Sequence, residues 1–405
     1  MSRLTNSGQL WLYRSKPQDD ELLSSWLVRL ASGLAIKLQT FCTQILGLHS
    51  GYWTGDIDRH PSLLALSRLS EGTAVPLDRV KATSLGALEG RLWERYQSGG
   101  PMEWLTPLGS LGRRRAMHGQ QYCRQCLESD AQPYFRRRWR LAFNVACERH
   151  GAFLEDACPH CHGPVEFHTG DFGRRLLDFD CPITRCGACN ADFRQWRSSA
   201  DRKAPSDLLI FQSSLNEALQ QGHHSRLPGA ESYSHLFFMG LRHLVRNVCS
   251  RGRFSRVREW LLSRQGLLNF EFEEQPRWQK FEALRVGDRA LILDLVSQLI
   301  QDWPHAFVRA CQESKVSSSY ILSYGAELPF WLSSEIDWHL YDRDYAPTPA
   351  ERAAVERYLL NHGLAVSRNS INRWLGVASV SKLLHAPARR DRWNPRGAKR
   401  TRDHN

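Results

Sequence analysis

The sequence predicts a mostly α-helical protein: an N-terminal helical (helix-turn-helix-like) domain, a tandem zinc-finger module and a C-terminal helical domain. Three observations carry that reading. Apolar residues recur at helical spacing toward both ends of the chain, as in Leu22, Leu23, Trp26, Leu27 and Leu30, or Leu291, Leu295, Leu299 and Ile300. The middle holds four pairs of soft metal donors. Gly99-Gly100-Pro101 separates the first helical stretch from those pairs. The expected domains are 1–103, 104–200 and 201–388, the last with a helix-turn-helix candidate at 350–376, followed by a basic tail at 389–405.

In the N-terminal domain an extended lead-in ends at Lys16-Pro17-Gln18-Asp19-Asp20, and Asp19 or Asp20 is placed to cap the helix that follows, with Glu21 in its first turn. That helix ends near Gly33. A second periodic stretch holds Leu38, Phe41, Cys42, Ile45 and Leu46, so two short helices flank a glycine-containing turn. Further helices are expected over 62–69 and 77–96. The loop 47–55 is rich in Tyr, Trp and His, which serve packing more often than base stacking.

The donor pairs are Cys123/Cys126, Cys147/His150, Cys158/Cys161 and Cys186/Cys189. A two-residue gap lets one tight turn aim two donors at a single ion, and Zn²⁺ takes four in a tetrahedron. Eight donors therefore make two closed sites and two structural Zn²⁺ ions. Sequential pairing puts Cys123, Cys126, Cys147 and His150 in one and Cys158, Cys161, Cys186 and Cys189 in the other; a cross-braced arrangement, first pair with third and second with fourth, is the alternative. A catalytic zinc keeps a position open for water, and eight ligands for two ions leave none. No general base stands beside the pairs, so no enzyme is expected. Cys181 lacks a partner two residues away and stays outside the set. Gly151, Gly163 and Asn190 follow the last three pairs, where a positive φ lets amides face the thiolates.

Within the same module, 133–140 reads Pro-Tyr-Phe-Arg-Arg-Arg-Trp-Arg. Arg136, Arg137, Arg138 and Arg140 can pair phosphates while the aromatics stack on bases; the other reading is a helix with Phe135, Trp139 and Phe143 inward and the arginines in water. Beyond it, helices are expected from Ser206 or Asp207 to Gly222, through 237–248, through 257–261, from an Asp288 cap to Trp303-Pro304, and after Pro347 and Pro349. The last helix of the candidate at 350–376 is capped by Ser367, with Val366, Ile371, Trp374 and Leu375 inward. Arg368, Asn369, Asn372 and Arg373 are then left outward to read base edges, hold phosphates or meet a partner; a helical hairpin docked on its own domain is the alternative.

At 405 residues the chain can bury two or three cores. It has no run of eighteen apolar residues and no signal-peptide core, which points to a cytoplasmic protein without a membrane span. Its cysteines then read as ligands and buried thiols, with Cys42, Cys249 and Cys311 as core fillers. The net charge of +12 is clustered: at Arg113–115 and 136–140, at 242–258, and in the tail, where seven Arg or Lys stand against Asp391 and Asp403. Such clustering favours phosphate or acidic protein partners, or only a solvated face.

Two blocks carry a family resemblance. Pro17-Gln18-Asp19-Asp20-Glu21-Leu22-Leu23-Ser24-Ser25-Trp26-Leu27-Val28-Arg29-Leu30-Ala31 resembles the pattern P-x-x-x-E-S-x-x-S-W-x-x-R-L-A, with Leu22 where serine is usual. The second block is Tyr122-Cys123-Arg124-Gln125-Cys126, Pro133-Tyr134-Phe135 to Trp139-Arg140-Leu141, Cys147 to His150-Gly151, and Cys158-Pro159-His160-Cys161. In this order they resemble the TniQ family of transposon target selectors, which includes the TnsD proteins. The resemblance implies a non-enzymatic adaptor of DNA transposition that joins a targeting signal to the AAA+ regulator TnsC and the transposase. Chain length matches members of CRISPR-associated transposons, where a TniQ homodimer sits on an RNA-guided Cascade complex of Cas proteins and guide RNA, and base pairing reads the target. The alternative is a TnsD-like selector that recognises an attachment site in target DNA directly.

Overall fold

The computed structural model describes residues 10–49, 55–108, 117–169, 182–195, 202–224, 232–250, 255–267, 278–321, 327–340 and 347–375. The chain divides into two compact units, Met1–Leu340 and Tyr341–Asn405. Among the described residues both are built mainly of helices. The expected boundaries at 103/104 and 200/201 fall inside the first unit, where one hydrophobic core runs from Leu22 to Ile336.

Helix α1 (Leu23–Gly33) is the amphipathic helix the spacing predicts, with Trp26 and Leu30 fully buried. Neither Asp19 nor Asp20 caps it. Asp20 takes a φ of 60° and gives its carboxylate to Arg138. The α1 amide of Ser24 instead donates to Asp58, which also accepts the Ser24 hydroxyl, both at 2.8 Å. Helix α2 (Leu38–Thr40) runs into a π-helical turn, Phe41–Ile45. Helix α3 (Leu63–Thr73) is capped by Ser62.

The helix expected over 77–96 is only α4 (Leu77–Lys81). Thr83 and Ser84 turn their hydroxyls back onto the Val80 and Lys81 carbonyls, which competes with helical bonding. A short 3-10 turn, Leu85–Leu88, follows, and Gly90 at φ 76° completes the break.

The middle of the unit contributes α5 (Arg124–Ser129) and the hairpin of β1 (Ala146–Cys147) and β2 (Ala152–Phe153), antiparallel with Cys147 opposite Ala152. Helix α6 (Ser206–Gln221) ends at Gly222 in the left-handed region, as predicted. Its buried Gln212 accepts the Val145 and Ala146 amides and donates to the Ala146 carbonyl, pinning the helix to the hairpin. A second hairpin joins β3 (His223–His224) to β4 (Ser232–Tyr233). Then come α7 (Ser234–Val248), α8 (Ser255–Arg264), α9 (Val286–Gln301), α10 (His305–Glu313), α11 (Ser318–Ile321) and α12 (Phe330–Glu335).

Asp288 lies inside the first turn of α9 and is buried rather than capping it. The cap comes from Asp156, which accepts the Val286 amide at 2.9 Å and pairs with Arg285 at 2.6 Å. Trp104 ties the segments together: it meets Phe143, Phe238 and Phe281 edge-on, and its indole donates to the Phe238 carbonyl. Cys42, Cys249 and Cys311 are buried in this core, as expected of fillers.

The second unit contains α13 (Pro349–Asn361) and α14 (Arg368–Trp374). Thr348 and Glu351 form a capping box with Pro349 at the first helical position. Gly363, at φ 61°, follows the end of α13.

Candidate metal centres

The donors gather in sequential order. Cys123, Cys126, Cys147 and His150 form one cluster, and Cys158, Cys161, Cys186 and Cys189 the other, with all ligand atoms of each within 4.8 Å of one another. The cross-braced alternative is thereby removed. Both groups can hold a metal ion.

The first centre sits between α5 and the β1–β2 hairpin. Cys123 precedes α5 and Cys126 lies in its first turn, while Cys147 ends β1 and His150 occupies the hairpin turn. His150 presents Nδ1 at 3.4 Å from the sulfurs of Cys123, Cys126 and Cys147, and Cys126 and Cys147 lie 3.6 Å apart. In the second centre Cys158 and Cys189 are 3.6 Å apart and Cys161 and Cys186 3.8 Å.

These separations test the fit to an ion. Zinc at about 2.3 Å from sulfur and about 2.0–2.1 Å from nitrogen gives tetrahedral edges of about 3.8 Å between sulfurs and about 3.6 Å between sulfur and nitrogen. The observed contacts match those edges within about 0.2 Å, the tolerance expected of a metal site. A disulfide would need about 2.05 Å.

The same turn builds three of the pairs. The residue after the second ligand is left-handed, with Gly151 at φ 64°, His162 at 55° and Asn190 at 63°. Its amide donates to the carbonyl of the first ligand: Cys147, Cys158 and Cys186. Gly163, expected to take the positive φ of the third turn, lies one residue too late, and His162 takes it instead. Gly187 matters for closeness: a Cβ there would stand 2.2 Å from the Thr169 hydroxyl and 2.5 Å from the Glu166 carbonyl oxygen. Burial pushes the Cys186 thiol up to about 12. Cys189 shows the opposite balance: burial raises it, but the Ala191 amide and the neighbouring thiols bring it down to about 6. Four thiols crowded together do not ionise together without a cation among them.

The centres share one scaffold. Phe135 stacks on Phe167 at 4.0 Å, Tyr122 packs on Phe193 at 5.0 Å, and Tyr122 and Glu155 exchange backbone hydrogen bonds. Residues 17–31 lock onto it. Buried Glu21 pairs with Arg29 at 2.6 Å, accepts the Ser25 hydroxyl at 2.8 Å and the Gln18 amide at 2.8 Å. The Ser25 oxygen accepts the Phe135 amide, and Leu22 N–H donates to the Phe135 carbonyl. The Trp26 indole donates to the Ser15 carbonyl.

The basic segment is spent on this same lock. Phe135, Trp139 and Phe143 point inward as one reading expected, but the segment is extended with a 3-10 turn, Arg137–Arg140, not an α-helix. Arg140 is wholly buried against Asp56 and 3.6 Å from Asp58, which takes it off any surface. Arg136 pairs with Asp130 and lies over Tyr134 and Trp139. Arg137 pairs with Asp20 and donates to the Ala82 carbonyl, and Arg138 pairs with Asp20 and Glu148. Their expected role as nucleic-acid or partner contacts thus competes with internal ion pairs. Asp58 was not singled out by sequence. Burial and the repulsion of Asp56 raise its carboxyl to about 6, against the pull of Arg140.

In the second unit Ser367 caps α14 as predicted, accepting the Ser370 amide at 3.1 Å. Asn372 is 6% exposed, so it faces inward rather than outward, while Val366 and Trp374, expected inward, are 38% and 53% exposed. Trp374 nevertheless packs on α13 through Tyr358, which also stacks on His362. Arg368, Asn369 and Arg373 lie on α14, but their side chains are outside the described residues. So are Cys181, Arg113–115 and the basic tail. Among the described residues no helix is long and apolar enough to cross a membrane.

No curated protein matches the sequence. Residues 12–154, which include the α1 lock, the whole first centre and the basic segment, match the TniQ family.

Proposed function

We infer from this TniQ-family domain that the chain is a target-selection protein of DNA transposition, and we propose that it serves there as a non-enzymatic adaptor. In this reading it works as a homodimer in the cytoplasm and links an RNA-guided Cascade complex to the TnsC regulator and the transposase. The two centres hold Zn²⁺, and their work is to brace. The observation that carries the adaptor role is the use of the arginine-rich segment: Arg137 and Arg138 pair with Asp20 just ahead of α1, Arg136 with Asp130 and Arg140 with Asp56, and these internal ion pairs leave little charge for phosphates. Sequence reading then falls to the guide RNA.

Co-expression with a Cascade complex encoded beside it tests the proposal. A stable complex containing the full chain, and its recruitment of TnsC to guide-matched DNA, are the expected results. Failure to co-purify with that complex sinks the RNA-guided version.

One feature favours a direct DNA-binding selector: the Ser367-capped α14 behind the turn at Gly363, on which Arg368, Asn369 and Arg373 are candidate contacts. Binding of the purified chain to one duplex at least about a thousandfold more tightly than to scrambled DNA supports that reading. A salt-sensitive but sequence-blind affinity counts against it.

A further inference from the structure

The two centres differ in what surrounds them. In the first, Cys123, Cys126 and Cys147 are 2%, 1% and 6% exposed, sealed between α5, the hairpin and the core. In the second, Cys158 and Cys186 are buried, but Cys161 is exposed and Cys189 half-buried. Cys161 stands between His160 and His162, both exposed. A ligand thiolate open to solvent meets oxidants that a sealed one does not, because reactivity follows thiolate character and access.

Resting on the metal reading above, the geometry points to the second centre as an oxidation site, with Cys161 the residue that reacts and a peroxide the oxidant. The Cys161 thiolate attacks one peroxide oxygen; the O–O bond breaks, hydroxide leaves and the sulfur becomes a sulfenic acid. The Cys186 thiolate, its sulfur 3.8 Å away, attacks that sulfur. The S–S bond forms and a second hydroxide leaves. Two thiolates have given up two electrons, the peroxide has taken both, and solvent protons turn the hydroxides to water. Two of four ligands are lost, and the ion goes.

The consequence reaches the family domain. Helix α1 packs against the 3-10 turns Phe167–Thr169 and Pro182–Thr184. Those turns are held by the second centre: Gly187 fits against Thr169 and Glu166, and the Phe193 amide bonds to the Thr184 carbonyl. Release of the ion frees one wall of the α1 seat while the first centre stays closed.

The test uses the full chain as purified. Metal per chain is measured first, and fewer than two atoms defeats the metal reading itself rather than this inference. Hydrogen peroxide is then added with a metallochromic indicator, followed by alkylation, peptide mass spectrometry and hydrogen exchange. One equivalent should leave faster than the other by on the order of tenfold. A Cys161–Cys186 disulfide should appear while Cys123, Cys126 and Cys147 remain alkylatable after denaturation, and amides of Leu23–Gly33 should exchange faster. Release of both equivalents at one rate, prior oxidation of the first-centre cysteines, or unchanged exchange in α1 overturns it.

Discussion

Replacing Arg29 by methionine removes the cation that neutralises Glu21 while leaving a stem to fill its path. The native guanidinium donates from Nε to Glu21 Oε1 at 2.8 Å and from Nη2 to Oε2 at 2.6 Å, and it also reaches Gln132 at 2.8 Å and the Lys16 carbonyl at 3.0 Å. All four bonds are lost in Arg29→Met. The carboxylate, 1% exposed, keeps only the Ser25 hydroxyl and the Gln18 amide. An uncompensated buried charge costs about 3–5 kcal/mol, and two surviving donors place this case near 3. Urea unfolding at pH 7, followed by tryptophan fluorescence, measures the loss; Glu21→Gln and the double variant complete a cycle whose coupling should be about 2 kcal/mol. Arg29→Lys should also lose stability, since an ammonium does not make the two-pronged contact. Salt should change the coupling little, because the pair is shielded from solvent. A loss below about 1 kcal/mol for Arg29→Met, the worth of a surface pair, refutes the claim that this contact anchors α1.

Three further outcomes follow from the same scaffold. Arg140→Gln leaves Asp56 and Asp58 buried without their cation and should cost about 3–5 kcal/mol by the same unfolding assay; full stability with weakened nucleic-acid binding would return Arg140 to a surface role. Gly187→Ala forces its methyl into Thr169 and Glu166 and should cost about 1–3 kcal/mol, with one metal equivalent lost per chain, whereas Gly163→Ala, whose Cβ meets Cys161 Sγ at 3.4 Å, should keep both; equal metal content in the two variants would be the contrary result. The Asp58 carboxyl, raised from 3.8 to about 6, binds its proton more tightly in the folded chain, so its contribution is complete below pH 3.8 and is lost as pH rises through 6. The stability of wild type minus that of Asp58→Asn should therefore fall by about 3 kcal/mol across that window, and a flat difference would show that the proton is not held.

The donor pairs were legible because their information is local, a two-residue gap that aims two donors at one point, whereas the choice of sequential over cross-braced pairing came from the fold. Helices α1, α6 and α9 were legible from spacing, as was the Ser367 cap. What escaped was long-range. Asp58 caps α1 and Asp156 caps α9, each a carboxylate far along the chain from the amide it accepts. Sequence pointed to the nearer Asp19, Asp20 and Asp288, because a local side chain is the usual cap. The arginine-rich segment misled for a related reason. Its charge looks available until the folded chain brings Asp20, Asp56, Asp130 and Glu148 against it.

The same contacts explain the spacing in residues 17–31. Glu21, Ser25 and Arg29 stand four apart, so at 3.6 residues per turn they share one side of α1 and its entry. That side faces Phe135, and its polar groups bond one another and the Phe135 amide rather than water. The following positions, Trp26 and Leu30, fill the core beside them. Leu22, where the family pattern has serine, fits this scheme: its role in the lock is the backbone N–H given to the Phe135 carbonyl, which any residue but proline supplies, and its side chain is simply buried. The block therefore clamps a helix to the scaffold that carries the two donor clusters.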